Sequence, residues 1–260
     1  MIDFEQIKTW FPLEFQQKQY AHFLLREYIQ YQILDFLSNS KYAKHLCFIG
    51  GTNLRMIHGL NRFSEDLDFD NKNVTSRDFS DMTDSVIRFL KNSGYTVVAD
   101  DKEKDKNLDA FRRNIVFPGF LYKNKLSPFK EEKFLLKIES QDQGISYVPE
   151  KTLITGCGYI FRFNTPPLPV LCAMKISALL NRSKGRDFFD TIFLLGKTEP
   201  DYGFLSKSVE IKSKVELKEA LKGLCEKINI QHKAKDFEHL LFNPSHSNRI
   251  LLFKEFVEKW

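Results

Sequence analysis

Apolar and polar positions along the chain follow two different spacings, which together predict a mixed α/β protein. In residues 4–38 apolar side chains such as Phe23, Leu24 and Ile33 recur at helical spacing, and we predict helices there. A second helical pattern covers residues 78–93 and ends at Gly94. Short apolar runs typical of strands occupy residues 46–49, 67–69, 95–99, 110–117 and 134–140. A charged run at residues 100–109 is expected to be a solvated turn.

The pattern changes after a proline-rich link at residues 165–169. A helix is predicted from about Val170 through Arg182, and helical spacing returns at residues 215–228, 236–241 and 250–260. This last part of the chain shows no catalytic constellation. We therefore predict a catalytic domain at residues 41–165 and a helical bundle at residues 166–260, packed with helices from residues 1–40.

Two aspartates in the second apolar run provide the first chemical signal. Successive side chains of a strand point to opposite faces, so Asp66, Asp68 and Asp70 share one face while Leu67 and Phe69 pack on the other. Mg²⁺ takes oxygen ligands and keeps positions open for substrate phosphates. Two such ions, about 3.5–4 Å apart, can clamp the attacking and leaving oxygens of a displacement at phosphorus.

A glycine turn lies between the first two predicted strands. Gly50 and Gly51 allow close approach of the backbone, and Thr52 is a suitable cap for a helix from about Asn53 to His58. The N–H groups at such a helix start favour the β or γ phosphate of a nucleotide. A Gly-Gly-Thr turn alone is usually a tight connection, and Asp-x-Asp alone is usually a solvated strand edge. Their combination at this spacing is far more specific.

This order of elements resembles a known family. A Gly-Gly-Thr turn, a helix and a strand with Asp-x-Asp are similar to the signature of the DNA polymerase β-type nucleotidyltransferase superfamily. The sequence RFSEDLDF at residues 62–69, with Lys175, Arg182 and RDFFD at residues 186–190, resembles the AbiEii/AbiGii toxin-type branch. The resemblance covers residues 41–195. It implies a mixed β-sheet flanked by helices, and the length and composition are similar to members that add a helical bundle.

The resemblance also implies a third acidic residue on a neighbouring central strand. In residues 134–140, Glu139 lies on the opposite side of the strand from Leu136 and Ile138, which suits a residue that faces a cleft. With Asp66 and Asp68 it would complete the metal site. The alternative is a surface glutamate paired with Lys137, and Asp142 is the nearest substitute.

Basic residues near the end of the resemblance are the candidates for phosphate binding. Lys175, Arg182 and Arg186 share a face if their helix is continuous, and three cations on one face favour a nearby anion. A basic solvent face is the alternative. The resemblance implies that Lys175 neutralises the phosphates and that Arg186 and Asp187 border the nucleotide pocket. Asp190 is expected to be structural.

Three residues near the predicted strands carry weaker signals. Ser64 precedes the aspartates and either contacts a phosphate or caps its loop. Arg112 and Arg113 are adjacent on a predicted strand, so at most one of them points toward a cleft.

Composition narrows the class of protein but does not select one. The 260 residues carry a net charge of +5, which permits a polyanionic partner such as RNA without identifying one. The four cysteines form no Cys-x-x-Cys unit, which argues against structural zinc and a disulfide framework. The sequence has no P-loop or Gly-x-Gly-x-x-Gly pattern and no run of 18 apolar residues. We expect a cytoplasmic protein with no membrane association.

The predicted function is a Mg²⁺-dependent nucleotidyltransferase, with two metal ions and an NTP as substrate. It would transfer NMP to an acceptor hydroxyl and release pyrophosphate. The resemblance implies a toxin of a toxin–antitoxin pair that acts on RNA such as tRNA and has a cognate antitoxin. Two alternatives stay open: an enzyme that modifies a small molecule or a protein, and a catalytically silent module that binds nucleotide or RNA.

Overall fold

The computed structural model describes residues 4–100 and 110–260. The chain divides into two compact units. The first comprises Met1–His58, Phe63–Gln143 and Pro149–Thr165, and the second comprises Gly59–Arg62, Gly144–Val148 and Pro166–Trp260. The N-terminal helices belong to the first unit. Apart from Asp100, the charged run at residues 100–109 lies outside the described residues.

The first unit contains seven strands and five α-helices in its described part. The strands are β1 (Leu46–Ile49), β2 (Asp66–Asn71), β3 (Val98–Asp100), β4 (Phe111–Val116), β5 (Leu135–Gln141), β6 (Glu150–Gly156) and β7 (Tyr159–Thr165). The helices are α1 (Phe4–Ile7), α2 (Ala21–Ser38), α3 (Gly50–Met56), α4 (Ser76–Asn92) and α5 (Phe120–Lys123). This alternation of strands and helices confirms the predicted α/β class.

Five of the strands form one mixed sheet in the order β1-β2-β5-β4-β3. The central pair β2 and β5 is parallel, whereas β1–β2, β4–β5 and β3–β4 are antiparallel. Strands β6 and β7 form a separate antiparallel hairpin. Because of the strand directions in the mixed sheet, β1 and β4 end where β2 and β5 begin. These four strand ends therefore lie at the same edge of the sheet.

The sheet is held by a core rich in phenylalanine. Leu67 and Phe69 of β2 are fully buried, and the ring of Phe69 lies 6.0 Å from Phe48 and 5.8 Å from Phe163. Helix α4 begins at a capping box in which the Thr75 hydroxyl and the Asp78 carboxylate accept each other's backbone N–H. Helix α2 buries residues on all sides, which is typical of a helix covered by neighbouring elements.

In the first unit two predicted helical regions differ in the structure, and one hairpin is additional. The N-terminal region is not one helix, because Pro12 is extended and three short 3₁₀ turns precede α2. Helix α3 begins at Gly50, three residues earlier than predicted, because the glycine turn itself forms its first turn. The hairpin at residues 150–165 was not predicted, because exposed apolar side chains such as Leu153 and Ile160 obscure the usual alternation of its strands.

The second unit is helical. Its helices are α6 (Leu168–Arg182), α7 (Gly185–Leu195), α8 (Tyr202–Val209), α9 (Lys214–Lys227), α10 (Ile230–Lys235) and α11 (Phe253–Lys259). Ser183 has φ +47°, so α6 ends at Arg182 and does not continue into α7. The predicted helix at residues 250–260 instead starts as a 3₁₀ segment, Pro244–Leu252, before α11. Among helices of the described ranges, none has the length and apolarity needed to cross a membrane.

Candidate active site

The Asp-x-Asp strand lies at the centre of the mixed sheet. Asp66 and Asp68 are half-buried, while Leu67 between them is fully buried on the other face. Asp68 is flanked by Ile49 of β1 and Glu139 of β5 in the sheet register. The alternation predicted from the sequence therefore holds, and the two carboxylates project from one face of β2.

Gly50 lies directly against the Asp68 carboxylate. A Cβ built on Gly50 would lie 2.1 Å from Asp68 Oδ2, and Gly50 has φ +83°, which L side chains rarely adopt. Both observations require glycine at this position. The glycine turn and the aspartate strand thus converge on one place.

Helix α3 is fastened to the strands by its first polar side chains. The buried Thr52 hydroxyl donates to the backbone carbonyl of Asp66, and Asn53 Nδ2 donates to the carbonyl of Phe48 at 2.7 Å. The predicted role of Thr52 as helix cap is wrong, because Ile49 occupies the cap position. Thr52 instead fixes the start of the aspartate strand relative to the glycine turn. Its binding to phosphate stays a prediction, as it does for Gly50 and Gly51.

Lys137 places a positive charge between two of the acidic side chains. Its Nζ lies 3.1 Å from Asp66 Oδ2 and 3.1 Å from Glu139 Oε1. Burial alone would lower the pKa of Lys137, but Asp66 and Glu139 outweigh burial and the pKa is raised. Burial likewise opposes ionisation of Glu139, whose pKa is nevertheless lowered by Lys137 and Arg112. Asp66 and Glu139 therefore share one cation, Lys137.

Glu139 is engaged on two sides. Besides Lys137, Arg112 Nε donates to Glu139 Oε1 at 2.6 Å. The alternative pairing of Glu139 with Lys137 therefore occurs, although the Glu139 side chain is only 25% exposed and faces the aspartates. Asp142, the possible substitute, lies beyond the other end of β5 and pairs with Lys72 at 2.8 Å. Its position at that end separates it from Asp66 and Asp68.

The two adjacent arginines of β4 point to opposite faces, as predicted. Arg112 reaches Glu139, whereas Arg113 is buried and donates to Thr83 and Asp84 on α4. Only Arg112 is therefore on the face of the candidate site.

Helix α2 braces the residues that lead into β2. Arg26 Nη1 donates to Glu65 Oε1 at 3.0 Å, and Gln30 Nε2 donates to the carbonyl of Ser64 at 3.2 Å. The Arg26 guanidinium also lies over the Phe134 ring, 5.4 Å from its centroid. Burial lowers the pKa of Arg26, and Glu65 and Asp66 partly offset this effect. The half-buried Ser64 is thus held by its backbone beside Asp66, and its contact with phosphate stays a prediction.

The sequence did not reveal Lys137, Arg26 or Gln30 as parts of this site. For Lys137 a signal existed, because it shares a strand face with Glu139. Arg26 and Gln30 lie within a helix, and no local pattern indicates which distant residues they contact.

A buried ionic cluster in the second unit contains Lys175. Its Nζ lies 2.8 Å from Asp190 Oδ2, and Arg62 donates to both oxygens of the same carboxylate at 2.8 and 2.7 Å. Asp190 is fully buried, yet the two cations outweigh burial and hold its pKa well below the ordinary range. Asp190 therefore positions Lys175. The role of Lys175 toward phosphate stays a prediction.

Asp187 fixes the junction between α6 and α7. It is fully buried and accepts from Arg182 Nε at 2.9 Å, from Arg182 Nη2 at 2.8 Å and from the Lys184 backbone N–H at 3.2 Å. Arg186 is half-buried at the start of α7. Their predicted roles beside a nucleotide are proposals.

The donor set of the first unit suits a hard divalent cation. Asp66 and Asp68 supply carboxylate oxygens on one face, and the missing Cβ of Gly50 leaves room at Asp68 Oδ2. No group of three histidine, cysteine, aspartate or glutamate side chains in the described ranges is arranged to hold a metal ion. The residues thus fit a cation bound by the two aspartates, whereas Glu139 is engaged by Lys137 and Arg112.

A carboxylate pair beside a glycine turn on a mixed sheet is the arrangement expected of a nucleotidyltransferase. Comparison with protein families extends this assignment, because residues 32–247 match the model described as "Nucleotidyl transferase AbiEii toxin, Type IV TA system". The chain belongs to this family. It is a nucleotidyltransferase of the toxin–antitoxin class, and membership implies an NTP substrate and a cognate antitoxin. A search of curated proteins found no match.

Solved structures share the fold at low sequence identity. JHP933 from Helicobacter pylori is 18% identical with a TM-score of 0.54, over 91% of this chain and 90% of that chain. MenT4, a nucleotidyltransferase toxin from Mycobacterium tuberculosis, is 13% identical with a TM-score of 0.57, over 100% of this chain and 91% of that chain. The predicted polymerase β-like nucleotidyltransferase fold is confirmed.

Proposed function

We propose that this protein transfers NMP from an NTP to a hydroxyl group of an RNA acceptor such as tRNA, in a reaction that requires Mg²⁺. The acceptor oxygen forms a bond to the α-phosphorus, the bond to the β-phosphate oxygen breaks, and pyrophosphate leaves. The observation that carries the proposal is the contact of Gly50 with Asp68 on the strand that also presents Asp66. The cytoplasm, where NTPs and tRNA occur together, is the proposed location.

Asp66 and Asp68 are the proposed metal ligands, and Glu139 is a third ligand only after it leaves Lys137 and Arg112. When bound, Mg²⁺ would neutralise charge on the triphosphate and on the attacking oxygen. We assign two ions to the site, in line with the family resemblance.

The other assignments concern binding and orientation. Gly50, Gly51 and Thr52 would contact the β and γ phosphates, with Ser64 at the edge of the same site. Lys175 would add a positive charge, and Arg186 and Asp187 would border the nucleotide. Rigid placement of these groups, more than proton transfer, would account for most of the rate.

A labelling experiment with matched variants tests the proposal. Each of the four NTPs, labelled at the α-phosphate, is incubated with RNA, protein and small-molecule fractions, with Mg²⁺ or with EDTA. We expect label in RNA only with Mg²⁺, a loss of at least about a hundredfold in Asp68→Asn, and little change in the control Asp142→Asn. A comparable loss in Glu139→Gln would support the third ligand.

Other outcomes would contradict parts of the proposal. Label in the protein or small-molecule fraction would show that the acceptor is not RNA, and the proposed transfer of NMP would remain valid. NTP binding without transfer, unchanged in Asp68→Asn, would indicate a binding module instead of an enzyme.

A further inference from the structure

We infer that the β4–β5 connection, residues 117–134, binds unpaired nucleotides of the RNA acceptor; this inference rests on the proposed function. The connection leaves the sheet at the edge where the candidate site lies. Val116 at the end of β4 pairs with Leu135 at the start of β5, and two residues further Lys137 pairs with Asp66. The connection therefore begins and ends within a few residues of the carboxylates.

A chain of contacts joins the connection to the aspartate strand. Phe134, its last residue, lies under the Arg26 guanidinium at 5.4 Å, and Arg26 pairs with Glu65 directly before Asp66. The inner part of the connection is firmly packed, because Phe120 is buried with its ring 5.0 Å from Phe134. The exposed part thus has a fixed position beside the site.

Two aromatic side chains on this packed base point to solvent. Tyr122 is 50% exposed and Phe129 is 70% exposed. Two hydrogen bonds fix the backbone of Phe129. The buried Ser127 hydroxyl accepts the Phe129 N–H at 3.0 Å, and the Phe129 carbonyl accepts the backbone N–H of Glu132 at 3.3 Å. Exposed aromatic rings held rigidly are suited to stacking on bases, which works for any base sequence.

The charge around these rings is complementary to a phosphate backbone. Between residues 118 and 133 the connection carries four lysines and two glutamates, a net charge of +2. Two lysines follow each exposed ring along the segment: Lys123 and Lys125 after Tyr122, and Lys130 and Lys133 after Phe129. Aromatic rings interleaved with cations indicate a single-stranded nucleic acid, whereas a protein partner would favour a dry apolar patch.

RNA binding without NTP tests the inference. Fluorescence anisotropy with labelled tRNA and with an unstructured oligoribonucleotide gives dissociation constants for the wild-type protein and Phe129→Ala. Stacking on one base corresponds to about a tenfold change in affinity, so we expect a weakening of that size in Phe129→Ala and more in the double variant with Tyr122→Ala. Phe129→Tyr keeps the ring and should restore binding. Ile160→Ala, equally exposed at 69% on β7, is the matched control and should bind normally.

The lysines are tested by salt dependence. Changing all four to glutamine should lower the slope of log affinity against log salt by about 3, at roughly 0.7 per phosphate contact for single strands. Lys151→Gln, exposed on β6, is the control.

The outcomes separate this inference from the proposed function. If wild-type protein labels RNA but Phe129→Ala and the lysine variant leave RNA affinity and KM unchanged, the inference is wrong. Absence of RNA binding by wild-type protein, or loss of antitoxin binding alone in the variants, would also overturn it. If the wild-type protein binds RNA through this segment but transfers no nucleotide, the proposed function fails and the binding surface stands.

Discussion

Replacing Lys137 with methionine is expected to make the candidate site bind a divalent cation more tightly. The Lys137 ammonium lies 3.1 Å from oxygens of both Asp66 and Glu139, so it already supplies the charge that a metal ion would supply. Methionine keeps much of the side-chain volume but removes this competing cation. Asp66 then loses its ion pair with Lys137, and Glu139 keeps its pairing with Arg112.

The geometry sets the size of the effect. A metal ion about 2.1 Å from Asp66 Oδ2 would lie within roughly 5 Å of the ammonium. Repulsion between charges of +2 and +1 at that distance is about 1.7 kcal/mol in water and about 7 kcal/mol at an effective dielectric constant near 20. The Lys137 side chain is 26% exposed and can turn toward solvent, so the smaller value applies. We expect the dissociation constant of Mn²⁺ to fall about tenfold.

Isothermal titration with Mn²⁺ measures this change without relying on activity. Lys72→Met is the matched control, because Lys72 also bridges two carboxylates, at 3.6 Å from Asp70 and 2.8 Å from Asp142, at the other end of β2. Its affinity for Mn²⁺ should equal that of wild type. Equal or weaker binding by Lys137→Met, with unchanged thermal unfolding, would refute the reasoning.

Three further predictions follow from the packing. Gly50→Ala should reduce the rate of NMP transfer by about a hundredfold or more, because the added Cβ would displace Asp68. Gly59→Ala is the control and should stay active, because Gly59 has a similar backbone, φ +74°, with open space around it. Asp190→Asn should lower the free energy of unfolding by about 3–5 kcal/mol at pH 7, since two buried cations lose their partner. The folded-state pKa of Asp190 is lowered, so urea titrations should show this deficit narrowing as the pH falls below about 4. A deficit independent of pH would contradict the charge argument. Maleimide should label one thiol in the native protein, and Cys225→Ser should abolish that labelling because the other cysteines are buried.

The convergence of the glycine turn with the aspartate strand is predictable from the sequence because both signals are local. Alternation along β2 fixes the face of Asp66 and Asp68, and the glycine turn needs no knowledge of distant residues. Whether Glu139 is the third carboxylate depends on Lys137 of its own strand and on Arg112 of the neighbouring strand β4. The contact with Arg112 follows from the pairing of β4 with β5, which the sequence of β5 alone does not show.

The remaining differences have similar physical causes. Helical spacing in residues 4–38 did not reveal the break at Pro12, and the face shared by Lys175 and Arg186 assumed a continuous helix. Ser183, with a left-handed backbone, ends that helix before Arg186. The buried cluster of Arg62, Lys175 and Asp190 joins residues up to 128 positions apart, which no spacing rule can anticipate.

The brace formed by α2 has a practical consequence for shortened versions of the protein. The family match begins at residue 32, so a chain trimmed to residues 32–247 would lack Arg26 and Gln30. Glu65 would lose its ion pair with Arg26, and the carbonyl of Ser64 would lose the amide of Gln30 as its donor. Both residues lie directly before the start of β2. Such a fragment would keep every signature residue of the family, yet the residues that lead into its aspartate strand would lack their support from α2.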